Sequence, residues 1–364
     1  MPVKRVVAIN LLIFVVLLAL VEAGGQAYSR WTEGAFLPER YARYRRDVDA
    51  QTTVFERHPY LVARPRSGAR IGRENASVTT TAAHTRVTGA APPKPGAITI
   101  ALVGGSTTFG TKVTDADTWP WQLQSKLGDG YQVLNFGVPG YTTAEAIIQM
   151  ALIVPEHAPR VVVFYEGWND IRNYHWPGLT ADYYGHGMTQ FDTLLPPPTD
   201  RTTFWDRAAH NSFVIGLLNR ALGTPVGAQA LISDRNDPEV DRIFQRNLQT
   251  LQALARRFGM TALFVPQVMN DSNFSKTGVS RSWTPYIEDA AMPRLVKGLN
   301  QIMAGVCAPD DTQCQFVGEV LNVAWDGNDF IDEGHLSGKG GAKLASIVEA
   351  RIRRIAATSP SAVP

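Results

Sequence analysis

Cysteine is nearly absent. Cys307 and Cys314 are the only two in 364 residues, which excludes zinc sites built on Cys/His spacing. An excess of one charge is absent as well, since 35 basic against 33 acidic side chains leave a net charge of +2. That balance favours no particular partner. Without a Lys/Arg run, or a basic stripe interleaved with aromatics, the chain carries no nucleic-acid footprint. The arginines at Arg40, Arg43, Arg45 and Arg46 read as a solvated helix face. Low-complexity text is missing too, and 45% hydrophobic against 19% charged residues is the balance of a folded chain.

A long apolar run is present at the N-terminus. Lys4 and Arg5 precede Val6–Val21, which holds no charge before Glu22. A membrane-crossing helix needs ~17–25 residues, and the short basic flank predicts the N-terminus inside and the rest outside. The run is read as an anchor. The alternative is a cleavable signal peptide, because Val21-Glu22-Ala23 before Gly24 resembles a small-residue cleavage site. Under either reading the remainder is exported, anchored on the extracytoplasmic side or secreted. Export permits a Cys307–Cys314 disulfide across "CAPDDTQC", which reads as a loop. Two free thiols remain the alternative, because sequence does not contain the geometry of the bridge.

Residues 1–24 are thus anchor or signal. Residues 25–96 form an extension ending in the loop-like "GAAPPKPG", and residues 97–358 form the main domain. In the extension, "RYARYRRDV" suggests a helix and "ASVTTTAAHTRVTG" short strands. In the domain, apolar strand candidates at 97–103, 131–137, 160–167 and 260–268 alternate with helix-like segments. One helix starts at Thr142 or Thr143, one from Val240 ends at Gly259, and a last one carries Leu344, Ile347, Val348, Ile352 and Ile355. Fully apolar strands separated by amphipathic helices imply an α/β fold, a three-layer α/β/α sandwich with a mostly parallel sheet. Ligands in such sheets bind outside the carboxyl ends of the strands.

The first strand runs into "GGSTTFGTK", Gly104–Lys112. A phosphate loop would need G-x-x-x-x-G-K-[ST]. Gly105 and Gly110 have that spacing, but Thr111 holds the lysine position and Lys112 comes one residue late. A one-residue shift at a helix start turns a side chain by ~100°, and no G-x-G-x-x-G stands at this turn. A nucleophilic serine, Ser106, is the better reading, provided a base and a carboxylate exist. Seven histidines are available. His58, His84 and His157 stand in plain text, and His175 and His186 fall in an aromatic-rich insertion whose default reading is loop packing. His335 differs, because Asp332 precedes it by three residues in "FIDEGHLSG", so one short loop carries both base and carboxylate.

These blocks resemble those of the SGNH/GDSL hydrolase family. Ser106 in "GGSTTFG", Gly137 in "NFGVPGYTT", Asn169 in "GWND" and His335 in "DEGH" occur in the family's order. The usual acidic residue before the serine is replaced by Gly105, and the likeness does not reach residues 1–96. An α/β-hydrolase elbow, G-x-S-x-G, fits less well because Thr108 replaces its last glycine.

The resemblance implies the flavodoxin-like SGNH fold and a serine esterase or acylhydrolase. Ser106 attacks an ester carbonyl, His335 moves the proton, and Asp332 orients the imidazole. The backbone N–H groups of Ser106 and Gly137 and the amide of Asn169 would receive the oxyanion. No metal or organic cofactor is required. Expected partners are a small-molecule, lipid or carbohydrate ester and, through the N-terminal helix, a membrane. An O-acyltransferase acting on a carbohydrate with the same triad is the alternative, and a non-catalytic carbohydrate-binding protein is a third.

Overall fold

Ile100 and Leu102 face one side of a strand and Ala101 and Val103 the other, yet all four are fully buried. An apolar strand of this kind needs cover on both faces. In the computed structural model, which describes residues 2–72, 77–195, 203–222 and 232–358, it receives that cover. The chain divides into two compact units, one of Thr53–Leu194 with Leu231–Pro364 and one of Met1–Thr52 with Leu195–Ala230.

The larger unit is built on five parallel strands, β1 Ile98–Gly104, β2 Tyr131–Asn135, β3 Val161–Tyr165, β4 Thr261–Phe264 and β5 Cys314–Phe316. Their order is 2-1-3-4-5. On one face Ala101, Val103, Val162, Phe164 and Phe264 pack against helices Thr143–Leu152, Pro238–Arg257 and Met292–Ala304. On the other, Ile100, Leu102, Val161, Val163 and Leu263 pack against helices Trp119–Leu127 and Gly338–Thr358. This is the expected three-layer α/β/α sandwich. The strand order reverses direction on either side of β1, so the rim above β1 and β3 is the switch point where ligands bind.

Local chemistry explains the element ends. Thr142 opens its helix with a capping box, Thr142 N–H donating to Glu145 Oε2 at 2.8 Å and Ala144 N–H to Thr142 Oγ1 at 3.2 Å. Asp237 caps the helix that begins with Pro238, and Gly259, at φ +70°, follows its end. Two differences from the sequence reading stand out. "CAPDDTQC", read as loop, ends in a fifth strand starting at Cys314, and Cys307 and Cys314 are joined as a disulfide. The "ASVTTTAAHTRVTG" text of the extension supplies the short strand Val78–Thr79, paired with Arg70–Ile71, and the single bridges Thr80 to Arg86 and Arg86 to Asn135; a second small hairpin, outside that text, pairs Phe55–Arg57 with Ala63–Pro65. Residues 53–96, grouped with the extension in sequence, thus lie in the unit that holds the sheet.

In the smaller unit, helix Val3–Glu33 contains the expected apolar run, with a mean hydropathy of 2.8 over its best 18 residues and none of that window buried. It is long and apolar enough to cross a membrane, and a signal sequence has the same character. Glu22, at the end of the run, caps helix Phe213–Leu222 by accepting from Phe213 N–H at 3.1 Å and Val214 N–H at 3.0 Å. Gly25 allows that contact, since a Cβ there would fall 2.0 Å from the Phe213 ring.

Candidate functional site

The carboxyl end of β1 delivers Gly104 and Gly105, and Ser106 opens a one-turn helix, Ser106–Phe109. Ser106 is 9% exposed. Its Oγ lies 2.9 Å from His335 Nε2, and His335 Nδ1 lies 2.9 and 2.8 Å from the two carboxylate oxygens of Asp332. The carboxylate partner fixes the tautomer: Nδ1 carries the proton towards Asp332 and Nε2 is left to accept from the serine hydroxyl. Asp332 also accepts from the backbone N–H of Gly334 at 3.1 Å and of His335 at 2.9 Å. Ile331 N–H donates to His335 O at 2.8 Å, closing the loop behind the ring. Burial alone would raise the Asp332 pKa, but His335 and then Lys112 outweigh it and hold the carboxyl far below its usual range. Lys112 Nζ donates to Asp332 Oδ2 at 2.7 Å.

Asn169, at the end of β3, reaches the same rim. It is 3% exposed and its Nδ2 donates one hydrogen to Tyr141 O at 2.7 Å, leaving the second free. Gly105 makes room for it, since a Cβ at Gly105 would lie 2.3 Å from Asn169 Nδ2.

Gly137 is placed differently from the expectation. Its N–H is already committed to Asn135 Oδ1 at 2.9 Å, and a Cβ on it would fall 2.4 Å from Phe109 N. The glycine is there so that two backbones can touch. Asn135, unremarked in sequence, is fully buried and joins the pair by donating to Thr108 O at 2.9 Å. Gly140, three residues on, offers the open donor. The turn Val138–Tyr141 is closed by Tyr141 N–H to Val138 O at 3.1 Å, with Gly140 at φ +82°. The carbonyls of Pro139 and Gly140 face helix Tyr184–Leu194, at 3.0 Å from Gln190 Nε2 and 2.7 Å from His186 Nε2. In a trans peptide the N–H of Gly140 points opposite to the Pro139 carbonyl, away from that helix, and no acceptor takes it among the described residues.

Two further features were invisible in sequence. Arg86, 1% exposed, donates to Asp115 Oδ1 at 3.0 Å and to the carbonyls of Phe109, Gly110, Ser77 and Val113. It thereby holds the turn that follows the serine. Asp170 is not a rim group. It is fully buried and accepts from Thr143 Oγ1 at 2.5 Å and Thr143 N–H at 3.2 Å. Among the described residues no group of three His, Cys, Asp or Glu side chains is placed to hold a metal.

A family model described as "GDSL-like Lipase/Acylhydrolase family" matches residues 102–343. No curated protein matches the chain. Among solved structures, the crystal structure of TesA is 16% identical, with 71% of this chain and 99% of that chain covered at a TM-score of 0.41. The lipase/acylhydrolase from Enterococcus faecalis is 14% identical, with 71% and 96% covered at a TM-score of 0.40. A catalytic mutant of Axe2, an acetylxylan esterase from Geobacillus stearothermophilus, is 16% identical, with 72% and 96% covered at a TM-score of 0.39.

Proposed function

The chain belongs to the GDSL-like lipase/acylhydrolase family and is an ester hydrolase, and from that premise we propose a serine mechanism acting on short-chain acyl esters. The observation that carries it is the continuous hydrogen-bonded chain Ser106–His335–Asp332, with links of 2.9 and 2.8 Å. Ser106 Oγ attacks the carbonyl carbon while His335 Nε2 takes its proton. The alcohol leaves with that proton, and water then repeats the sequence to free the acid. Negative charge on the carbonyl oxygen meets the Ser106 N–H, the free hydrogen of Asn169 Nδ2 and the Gly140 N–H, the last in place of Gly137. A short acyl group suits the small hollow against Ser106 and His335. It is walled by Thr107, Gly110, Thr111, Thr118, Trp119 and Leu336 and has no depth for a long chain.

The basic flank of the apolar helix, Lys4 and Arg5, and the Cys307–Cys314 disulfide support an exported catalytic unit. Turnover of p-nitrophenyl esters of increasing acyl length, with Ser106→Ala in parallel, tests the reading. Acetyl turnover that exceeds that of longer chains and vanishes in Ser106→Ala is expected. Activity retained by Ser106→Ala would end the serine mechanism. A folded wild type that turns over an acetyl ester only when a sugar acceptor is supplied would make the chain a transferase.

A further inference from the structure

Arg172 is 6% exposed, yet neither its Nε nor its Nη1 has a hydrogen-bond partner. Among the described residues no ion pair compensates it, and burial presses its pKa down. A guanidinium withdrawn from water without a carboxylate is costly, and an anionic ligand would offset that cost. Two indoles flank it: the Arg172 guanidinium carbon stands 4.1 Å from the Trp283 ring centre and 5.7 Å from that of Trp176. Both rings are only partly buried, so this side of the cluster reaches solvent.

The neighbours of Arg172 are also unsatisfied. Trp283 Nε1 is buried without an acceptor. His186, 5.9 Å from Trp283 between ring centres, donates through Nε2 to Gly140 O, which leaves Nδ1 as an acceptor with no donor. Burial holds that imidazole neutral, its pKa pushed down to about 4. The group therefore presents positive charge, one indole N–H and one acceptor around a flat aromatic surface.

Each member is fastened to a different catalytic block. Arg172 follows Asn169 by three residues. His186 holds Gly140 O, next to the Tyr141 O that receives Asn169. Trp283 lies two residues beyond Arg281, whose guanidinium pairs with Glu333 beside Asp332. The cluster is thereby tied to the segments that carry Asn169, Gly140 and Asp332. We propose that Arg172, Trp283 and His186 form a subsite for an oxyanion group, carboxylate or phosphate, on a hydroxyl-bearing substrate such as an acidic sugar ester. This rests on the ester-hydrolase reading for its place in turnover, but not for binding.

Binding to the full chain in detergent is measured by calorimetry and tryptophan fluorescence with the methyl glycoside of glucuronic acid (free carboxylate), glucose 6-phosphate and neutral methyl glucoside. One of the two anions is expected to bind about 10–100-fold tighter than the glucoside, as charge-assisted hydrogen bonds to a buried guanidinium allow. Whichever binds identifies carboxylate or phosphate. Arg172→Gln should erase the difference and Arg172→Lys restore part of it. Equal binding of glucoside and both anions by the wild type, or an undiminished preference in Arg172→Gln, overturns the subsite. Should Arg172→Gln not fold, the wild-type comparison still decides, and Trp283→Phe, which keeps the ring and loses the N–H, should weaken the anion. A p-nitrophenyl acetate assay on the same sample separates the two ideas. Anion binding without ester turnover leaves the subsite standing and removes the esterase; turnover without anion preference does the reverse.

Discussion

Lys112 Nζ donates to Asp332 Oδ2 at 2.7 Å, on the side of the carboxylate that also meets His335 Nδ1. The residue that comes one position too late to hold a phosphate instead rests on the carboxylate of the triad. It does so from a left-handed backbone, φ +71°, a conformation a lysine adopts only where its surroundings hold it there. The Lys112 side chain is 55% exposed against 16% for Asp332, so the pair is a half-solvated ion pair of small net worth. Lys112→Met should reduce kcat/KM for p-nitrophenyl acetate by less than about tenfold, because His335 keeps both carboxylate oxygens. Asp332→Asn should cost ~10⁴ in kcat by supporting the wrong imidazole tautomer. Equal losses in the two variants would make Lys112 an essential member of the triad.

Gly105 separates a spacer from a chemical group. A Cβ at this position would stand 2.3 Å from Asn169 Nδ2 and 3.2 Å from Tyr141 O, and neither neighbour can yield without moving the rim. Gly105→Ala should displace the Asn169 amide and lower kcat by ~10²–10³, the usual result of losing one oxyanion donor. Asn169→Asp should fall in the same range, since it also loses that donor. If Gly105→Ala turned over substrate as fast as wild type, Asn169 would have no part in holding the oxyanion.

Arg86 binds five acceptors from Ser77 to Asp115, four of them on the segment that leaves the nucleophile turn. Arg86→Met fills much of the volume but strands those acceptors, Asp115 among them. Breaking a buried charged pair from one side costs ~3–5 kcal/mol, and the expected result is a large fall in the urea midpoint accompanied by reduced turnover. A stability within roughly 0.5 kcal/mol of wild type, the scale of a surface change, would show that water replaces the arginine freely.

Much of the fold was legible because its signals are local. β1 to β4 are apolar runs too short for helices, and Thr142 and Gly259 mark helix ends by capping chemistry that needs no tertiary knowledge. β5 was not legible: three residues, Cys314–Phe316, carry no period, and only pairing with β4 makes them a strand. Helix Met292–Ala304 did carry a signal in Leu295, Val296, Leu299 and Met303, all buried, that the apolar periodicity of its text could have revealed. At the site, Ser106 and Asn169 are recognisable because fixed residue types follow strand ends, and Asp332 and His335 because D-x-x-H stands in one short loop before the last helix. Gly137 and Gly140 are not separable that way. Both are glycines in one short loop, and only the Asn135 side chain, which occupies one N–H, tells them apart. Arg86 and Arg172 look in sequence like any solvated arginine, since burial is a property of the whole fold.

Asp170 supplies a test of the buried side of the rim. Burial pushes its pKa up to about 7 against the pull of the Thr143 hydrogen bonds. In an unfolded chain the same group titrates near ~3.9. Between about pH 4 and pH 7 the native chain therefore holds a proton that the unfolded chain has released, so stability falls as pH rises across that window and levels off above it. The slope from this one group approaches ~1.4 kcal/mol per pH unit. Burial raises Glu166 and Glu145 as well, which adds to the trend in the same direction. Asp170→Asn keeps an oxygen for Thr143 but cannot titrate, so its urea midpoint should change less between pH 5 and pH 7.5 than that of the wild type. An equal change in the two proteins would mean that Asp170 is ionised in the native state across the whole range, and that Thr143 binds a carboxylate, not a carboxylic acid.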